Sequence, residues 1–177
     1  EATLILKKAI PFLQSYIQDS LAPIRRQKYT RKLDVLYEQI ALTESEELAL
    51  YAAFGKYGIE AFSDYLLREQ RYSEWIALHQ LYPTSIAYLE QSGLKEVVAN
   101  APEFALPLYH FYAMDEINQK SRQNYKQAVR IWRAMKSAAK KAGKLDYFES
   151  YMDAVQQQFK RLRALQEEIS KSNLIAS

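Results

Sequence analysis

Apolar side chains recur along this chain at helical intervals and are punctuated by caps and prolines, so the first inference is a succession of α-helices. Residues 2–19 carry Leu4, Ile5, Ile10, Leu13, Tyr16 and Ile17 at loose helical spacing. Pro11 interrupts them: it has no N–H and disfavours the helical region for Ile10, which predicts a kink or a new start there. Residues 20–23 break the pattern, and a second helix over 24–42 is marked by Tyr29, Leu33, Leu36, Tyr37 and Ile40. Thr43 followed by Glu46 is a capping box, in which hydroxyl and carboxylate each satisfy an orphan backbone N–H. A third helix therefore starts there and runs to residue 57, with Gly58 expected as its left-handed C-terminal cap. A fourth over 59–70 presents Phe62, Tyr65, Leu66 and Glu69; a fifth over 73–82 presents Trp75, Ile76, Leu78 and Leu81 before Pro83 stops it.

Short segments follow at 85–91, closed by Ser92 and Gly93, and at 94–100, closed by Pro102. A richer helix over 103–119 places Phe104, Leu108, Phe111, Tyr112 and Ile117 on its apolar side. Ser121 is the expected cap of the next helix, and from Arg122 the helices lengthen into a hairpin over 121–171 that turns at Ala142, Gly143 and Lys144. Its second arm, 145–171, carries Phe148, Met152, Val155, Phe159, Leu162 and Ile169 at helical spacing, with Asp146 and Glu149 placed like a capping box.

No strict repeat period is visible, yet the units look alike: a helix of two or three turns, a turn, an antiparallel partner. Leu66, Tyr72, Ala77 and Pro83 are echoed by Leu89, Leu94, Val98 and Pro102 about 20 residues on. Two such helices cannot bury their apolar faces alone, and stacked hairpins can. The expected fold is all-α: an α-solenoid of stacked antiparallel hairpins, tetratricopeptide-like, ending in a long hairpin. A closed bundle fits short middle helices beside long terminal ones less well. One domain over 1–177 is expected, with N-terminal helices at 1–42, short hairpins at 43–119 and the long hairpin at 121–171.

Composition agrees. Four Gly and five Pro among 177 residues are few for an architecture of tight β turns. The absence of cysteine excludes disulfides, thiolate metal sites and cysteine nucleophiles within this sequence. No apolar run approaches the roughly 20 residues of a membrane span, and no signal-peptide pattern opens the chain, so the expectation is a soluble cytoplasmic protein without membrane attachment.

Charge changes the picture more. Residues 2–33 hold seven Lys or Arg against Asp19 alone, residues 34–116 hold four against fourteen carboxylates, and residues 122–171 hold twelve against five. At about 100° per residue, Arg122, Lys126, Arg130, Arg133, Lys136, Lys140 and Lys144 fall in one arc of about 120°. Ile131, Trp132, Ala134, Met135, Ala138, Ala139 and Ala142 lie opposite. Such a face tracks a phosphate backbone in nucleic-acid binders, whereas in most proteins it is simply a solvated exterior. The Ala-rich opposite face buries too little area for a bilayer-surface helix. Farther on, Lys160, Arg161 and Arg163 are expected to pair with Glu167 and Glu168 along their own helix.

Fourteen tyrosines offer a base-stacking role, but Tyr65, Tyr72, Tyr112 and Tyr125 sit where stacked hairpins bury a ring and let its hydroxyl reach out. His79 and His110 lie on different helices without a second ligand at metal-binding spacing. No nucleophile elbow or phosphate-binding glycine motif is present. The expectation is no catalytic residue, no cofactor and no metal.

Residues 125–169, YKQAVRIWRAMKSAAKKAGKLDYFESYMDAVQQQFKRLRALQEEI, resemble the C-terminal helical region of bacterial SWIM zinc-finger proteins. Tyr125, Ala128, Arg130, Gly143, Phe148, Tyr151, Phe159, Arg163, Ala164 and Leu165 carry the match. Upstream it fades into a tetratricopeptide-like pattern around 66–83 and 91–109. In such proteins a C-x-C, C-x-H finger binds nucleic acid or protein, and some are associated with Snf2-type helicase-like proteins. None of the finger's cysteines exists here, so no metal ligand carries over. The resemblance implies the appendage that follows the finger, a scaffold that holds a protein partner or braces a nucleic-acid-associated assembly. The alternative is direct, sequence-independent nucleic-acid binding through the basic helices.

Overall fold

The computed structural model describes residues 42–175 and a few helical positions before them: Phe12, Leu13, Ser15, Tyr16, Ile17, Arg25, Lys28, Tyr29 and Lys32. The expected helices over 2–19 and 24–42, with the kink at Pro11, otherwise lie outside the described residues. Beyond Leu42 the described residues form nine α-helices, one 3-10 turn and no strand, so the chain is all-α. None of these helices is long and apolar enough to cross a membrane. The chain falls into two compact units, residues 1–71 and residues 72–177.

In the first unit, α1 (Glu44–Phe54) opens on the expected capping box: Glu46 N–H donates to Thr43 Oγ1 at 3.4 Å, and Thr43 N–H donates to Glu46 Oε2 at 2.9 Å. Its left-handed residue is Gly55 at φ 51°, not Gly58. Gly58 instead has right-handed helical backbone and starts α2 (Ile59–Arg68), so the chain passes between the two helices through the 3-10 turn Gly55–Tyr57. No atom lies within 4 Å of where a Cβ at Gly55 would stand, so its conformation rather than space calls for glycine there. Tyr51, Phe62 and Tyr65 form an aromatic triangle with centroids 5.8–6.1 Å apart. Tyr65 Oη donates to Glu44 Oε1 at 3.0 Å, while Arg68 pairs with Glu47 and Arg71 with Glu44, tying α2 to α1.

The second unit contains α3 (Tyr72–Leu81), α4 (Ile86–Ser92), α5 (Leu94–Asn100), α6 (Pro102–Asn118), α7 (Arg122–Lys141), α8 (Leu145–Gln158) and α9 (Arg163–Ser170). Pro102 sits in the first turn of α6, where a missing N–H costs nothing. The pairing of α6 with α7 is the most extensive, and Ala105, Ala113, Ala128, Ala138 and Ala139, all fully buried, let helix backbones approach closely. Trp75, Leu89, Leu108, Trp132, Phe148, Met152 and Leu165 fill the core. Ser121 caps α7 by accepting from Asn124 N–H at 3.1 Å. The α7–α8 turn is a Schellman motif with Gly143 at φ 67°: Lys144 N–H donates to Ala139 O at 2.8 Å and Gly143 N–H to Lys140 O at 3.2 Å.

The expected single arm over 145–171 is two helices. The chain leaves helical geometry between Phe159 and Leu162, with neither glycine nor proline to signal it. On a straight helix Leu165 would point about 100° away from the stripe of Phe148, Met152 and Val155. The break re-aims Leu165 and Ile169 into the core, where both are buried. Gln166 compensates the interrupted ladder, its Nε2 donating to Phe159 O at 3.2 Å and Gln156 O at 3.4 Å. Asp146 and Glu149 form no capping box, because α8 begins at Leu145 and Lys144 occupies the cap without a side-chain hydrogen bond.

Candidate interaction surface

All seven candidate cations lie on or just beyond α7, and the fold treats them unequally. Arg122 pairs with Glu167 and, through Nε at 3.3 Å, with Glu168, both on α9. Arg130 Nη2 meets Glu90 Oε2 on α4 at 2.9 Å. Arg133 reaches the Ser172 carbonyl at 3.5 Å, and Lys136 Nζ donates to the Leu174 carbonyl at 2.7 Å. Leu174 is itself buried, so the segment after α9 lies along the middle of the basic face. Lys126, Lys140 and Lys144 are exposed and make no ion pair with the described residues.

The basic stripe thus serves partly as an internal brace. Glu167 and Glu168 take Arg122, with Lys171 at 3.9 Å from Glu168, in place of the expected partners on their own helix. A helical wheel shows only neighbours within one helix; these partners stand about 40 residues away. Arg122 and Arg130 remain more than half exposed, so each pair is worth at most about 1 kcal/mol.

A second arrangement was not legible in the sequence. Trp132 Nε1 on α7 donates to Tyr151 Oη on α8 at 3.0 Å, and His110 Nδ1 on α6 lies 2.9 Å from the same oxygen. An indole N–H only donates, so the phenol oxygen accepts there, and the same hydroxyl shares a hydrogen bond with the His110 ring. The two rings meet edge-on, centroids 5.5 Å apart. Burial pushes the Tyr151 hydroxyl up to about 12, partly countered by the indole hydrogen bond. One hydroxyl thereby links three helices.

Of the named tyrosines, Tyr65, Tyr72, Tyr112 and Tyr125 are buried. Tyr72 donates to Glu96 at 3.5 Å, and Tyr112 Oη accepts from Thr84 N–H at 3.3 Å. His79 is buried against Trp75, centroids 4.4 Å apart, and desolvation lowers its pKa to about 4. Among the described residues no group of three or more His, Asp or Glu is positioned to hold a metal ion.

The apolar side expected for α6 divides. Leu108, Tyr112 and Ile117 are buried, whereas Phe104 is 41% exposed and Phe111 half-buried. Phe104, Pro107, Phe111 and Met114 form a separate strip turned away from the core. Its signal in the sequence is a second helical series offset from the buried one.

No family model matches the chain, and no solved structure does. A Bacillus subtilis (strain 168) protein, "Uncharacterized protein YwqB", is 37% identical over 136 residues, covering 75% of this chain. That alignment is 25% of the relative, so the chain spans about a quarter of the length of the curated relative it matches.

Proposed function

We propose that this chain is a non-enzymatic helical-repeat interaction module, a cytoplasmic scaffold unit working within a longer protein. The observation that carries the reading is how the last two hairpins lie together. The His110–Tyr151 hydrogen bond links α6 to α8, and α7 packs on α9 with Arg122 paired to Glu167 and Glu168. First helix against first and second against second is the relation of successive hairpins in a tetratricopeptide-like solenoid. Continuation is supported by the packing of α3 on α6 and by the Arg130–Glu90 pair between α7 and α4. Stacks of this kind present extended helix faces to peptides or helices of other proteins.

The relative, about four times the length of the matched stretch, supports a module joined to other domains. The resemblance to the helical region of SWIM zinc-finger proteins suggests a nucleic-acid-associated assembly as its setting. Cross-linking followed by affinity capture with the intact chain tests the module reading: one protein enriched reproducibly is the expected result, and repeated capture with none enriched overturns it.

A second reading, sequence-independent nucleic-acid binding through α7, draws on the exposed Lys126, Lys140 and Lys144. It requires that duplex or single-stranded oligonucleotides bind at low salt and that Lys140→Glu with Lys144→Glu weakens them. Binding unchanged by that pair of reversals removes this reading.

A further inference from the structure

We propose that the outward face of α6 and α8 is the docking surface of the module, and that its occupant is a cationic amphipathic segment of a partner protein. Phe104, Pro107, Phe111 and Met114 stand three, four and three residues apart, so they share one side of α6 for over two turns. The opposite side carries Ala105, Tyr109 and Ala113, which are buried. A helix that is apolar on both sides normally has both covered. Phe104 is nevertheless 41% exposed, and Tyr147, on the neighbouring helix and one turn before Tyr151, is 55% exposed. A hydrogen bond between His110 and Tyr151 links the two helices.

Charge decides what suits it. Helices α6 and α8 contain not one Lys or Arg. Of their carboxylates, Asp115, Asp146, Glu149 and Asp153 are exposed, and Glu103 and Glu116 are half-buried. The intervening α7, by contrast, carries seven cations. Pro107 also has no N–H to return to the Glu103 carbonyl, so that oxygen lacks its usual intrahelical donor. An apolar strip at helical spacing, flanked on its own helix by Glu103 and Asp115, matches a segment with Leu, Phe or Met on one side and Lys or Arg on the other. A phosphate backbone meets only repulsion here.

This inference rests on the module reading, and its test separates the two. The probe is a short fluorescein-labelled helical peptide with Leu at i, i+3, i+4 and i+7 and Lys or Arg elsewhere. Controls are a scrambled peptide of equal composition and a version with Glu replacing every cation. Fluorescence anisotropy with the intact chain should show the amphipathic cationic peptide binding at least about tenfold more tightly than either control. Phe104→Ser and Asp115→Lys should each reduce its affinity by about tenfold, while Glu69→Lys in the first unit leaves it within about twofold. Circular dichroism of each variant verifies that it remains folded.

Equal binding of the scrambled peptide, or affinity unchanged by Phe104→Ser in a folded variant, overturns the proposal. If the intact chain still enriches a defined partner in the capture experiment, the docking face alone is wrong. If no partner is enriched either, the module reading falls with it.

Discussion

Tyr151 is where single-residue chemistry has the widest reach in this structure. Among the described residues its hydroxyl is the acceptor for the buried Trp132 indole N–H and also engages His110, so Tyr151→Phe leaves a buried N–H unsatisfied. The expected cost is about 1–3 kcal/mol in urea unfolding. A merely packing role predicts almost none, because the ring is retained. His79 sets a second residue-scale expectation. Burial keeps it neutral in the folded chain down to about pH 4, whereas an unfolded chain protonates it near pH 6.5. Between those values the unfolded state binds more protons, so the contribution is complete above about pH 6.5 and declines as pH falls towards 4. The decline amounts to at most about 3 kcal/mol. Chemical denaturation across that window should show it, and His79→Leu should flatten the profile.

At the scale of elements, caps and turns were the most legible features, because their determinants sit within four residues of one another. Thr43 with Glu46, Ser121 with Asn124, and Gly143 between two helices each act where the sequence places them. The break at Phe159–Leu162 was not legible, since its cause is Leu165 turning towards a core built by other helices. The α7–α9 interface therefore separates packing from charge. Leu165→Ala should cost about 2–5 kcal/mol in thermal or urea unfolding, because the side chain is fully buried. Arg122→Ala should cost under about 1 kcal/mol, the guanidinium and its partner Glu167 both being more than half exposed. A larger loss at Arg122 than at Leu165 would contradict this ranking of the two contributions.

For the whole molecule, the segregation of charge between helices constrains what can bind. Four of the seven candidate cations of the α7 face already have partners within the chain, which leaves Lys126, Lys140 and Lys144 of that face for a polyanion. Any nucleic-acid affinity carried by these three should fall with salt at a log–log slope no steeper than about −3. A slope near −6, read from oligonucleotide binding across a salt series, would mean that the partnered arginines and lysines release their internal contacts on binding.

By itself the sequence determined the all-α class, the positions of most helices in the described part of the chain, and the asymmetry of charge. All of these follow from local period, capping and composition. Only the tertiary structure decided which face of α6 is core and which is open, where the final arm breaks, and which cations are already bound to carboxylates and carbonyls. Those outcomes depend on residues about 40 positions apart meeting across helices, as His110 meets Tyr151 and Arg122 meets Glu167. A periodic pattern tells a helix that it has an apolar side, but the number of neighbours that arrive to cover it is settled by how the other helices pack.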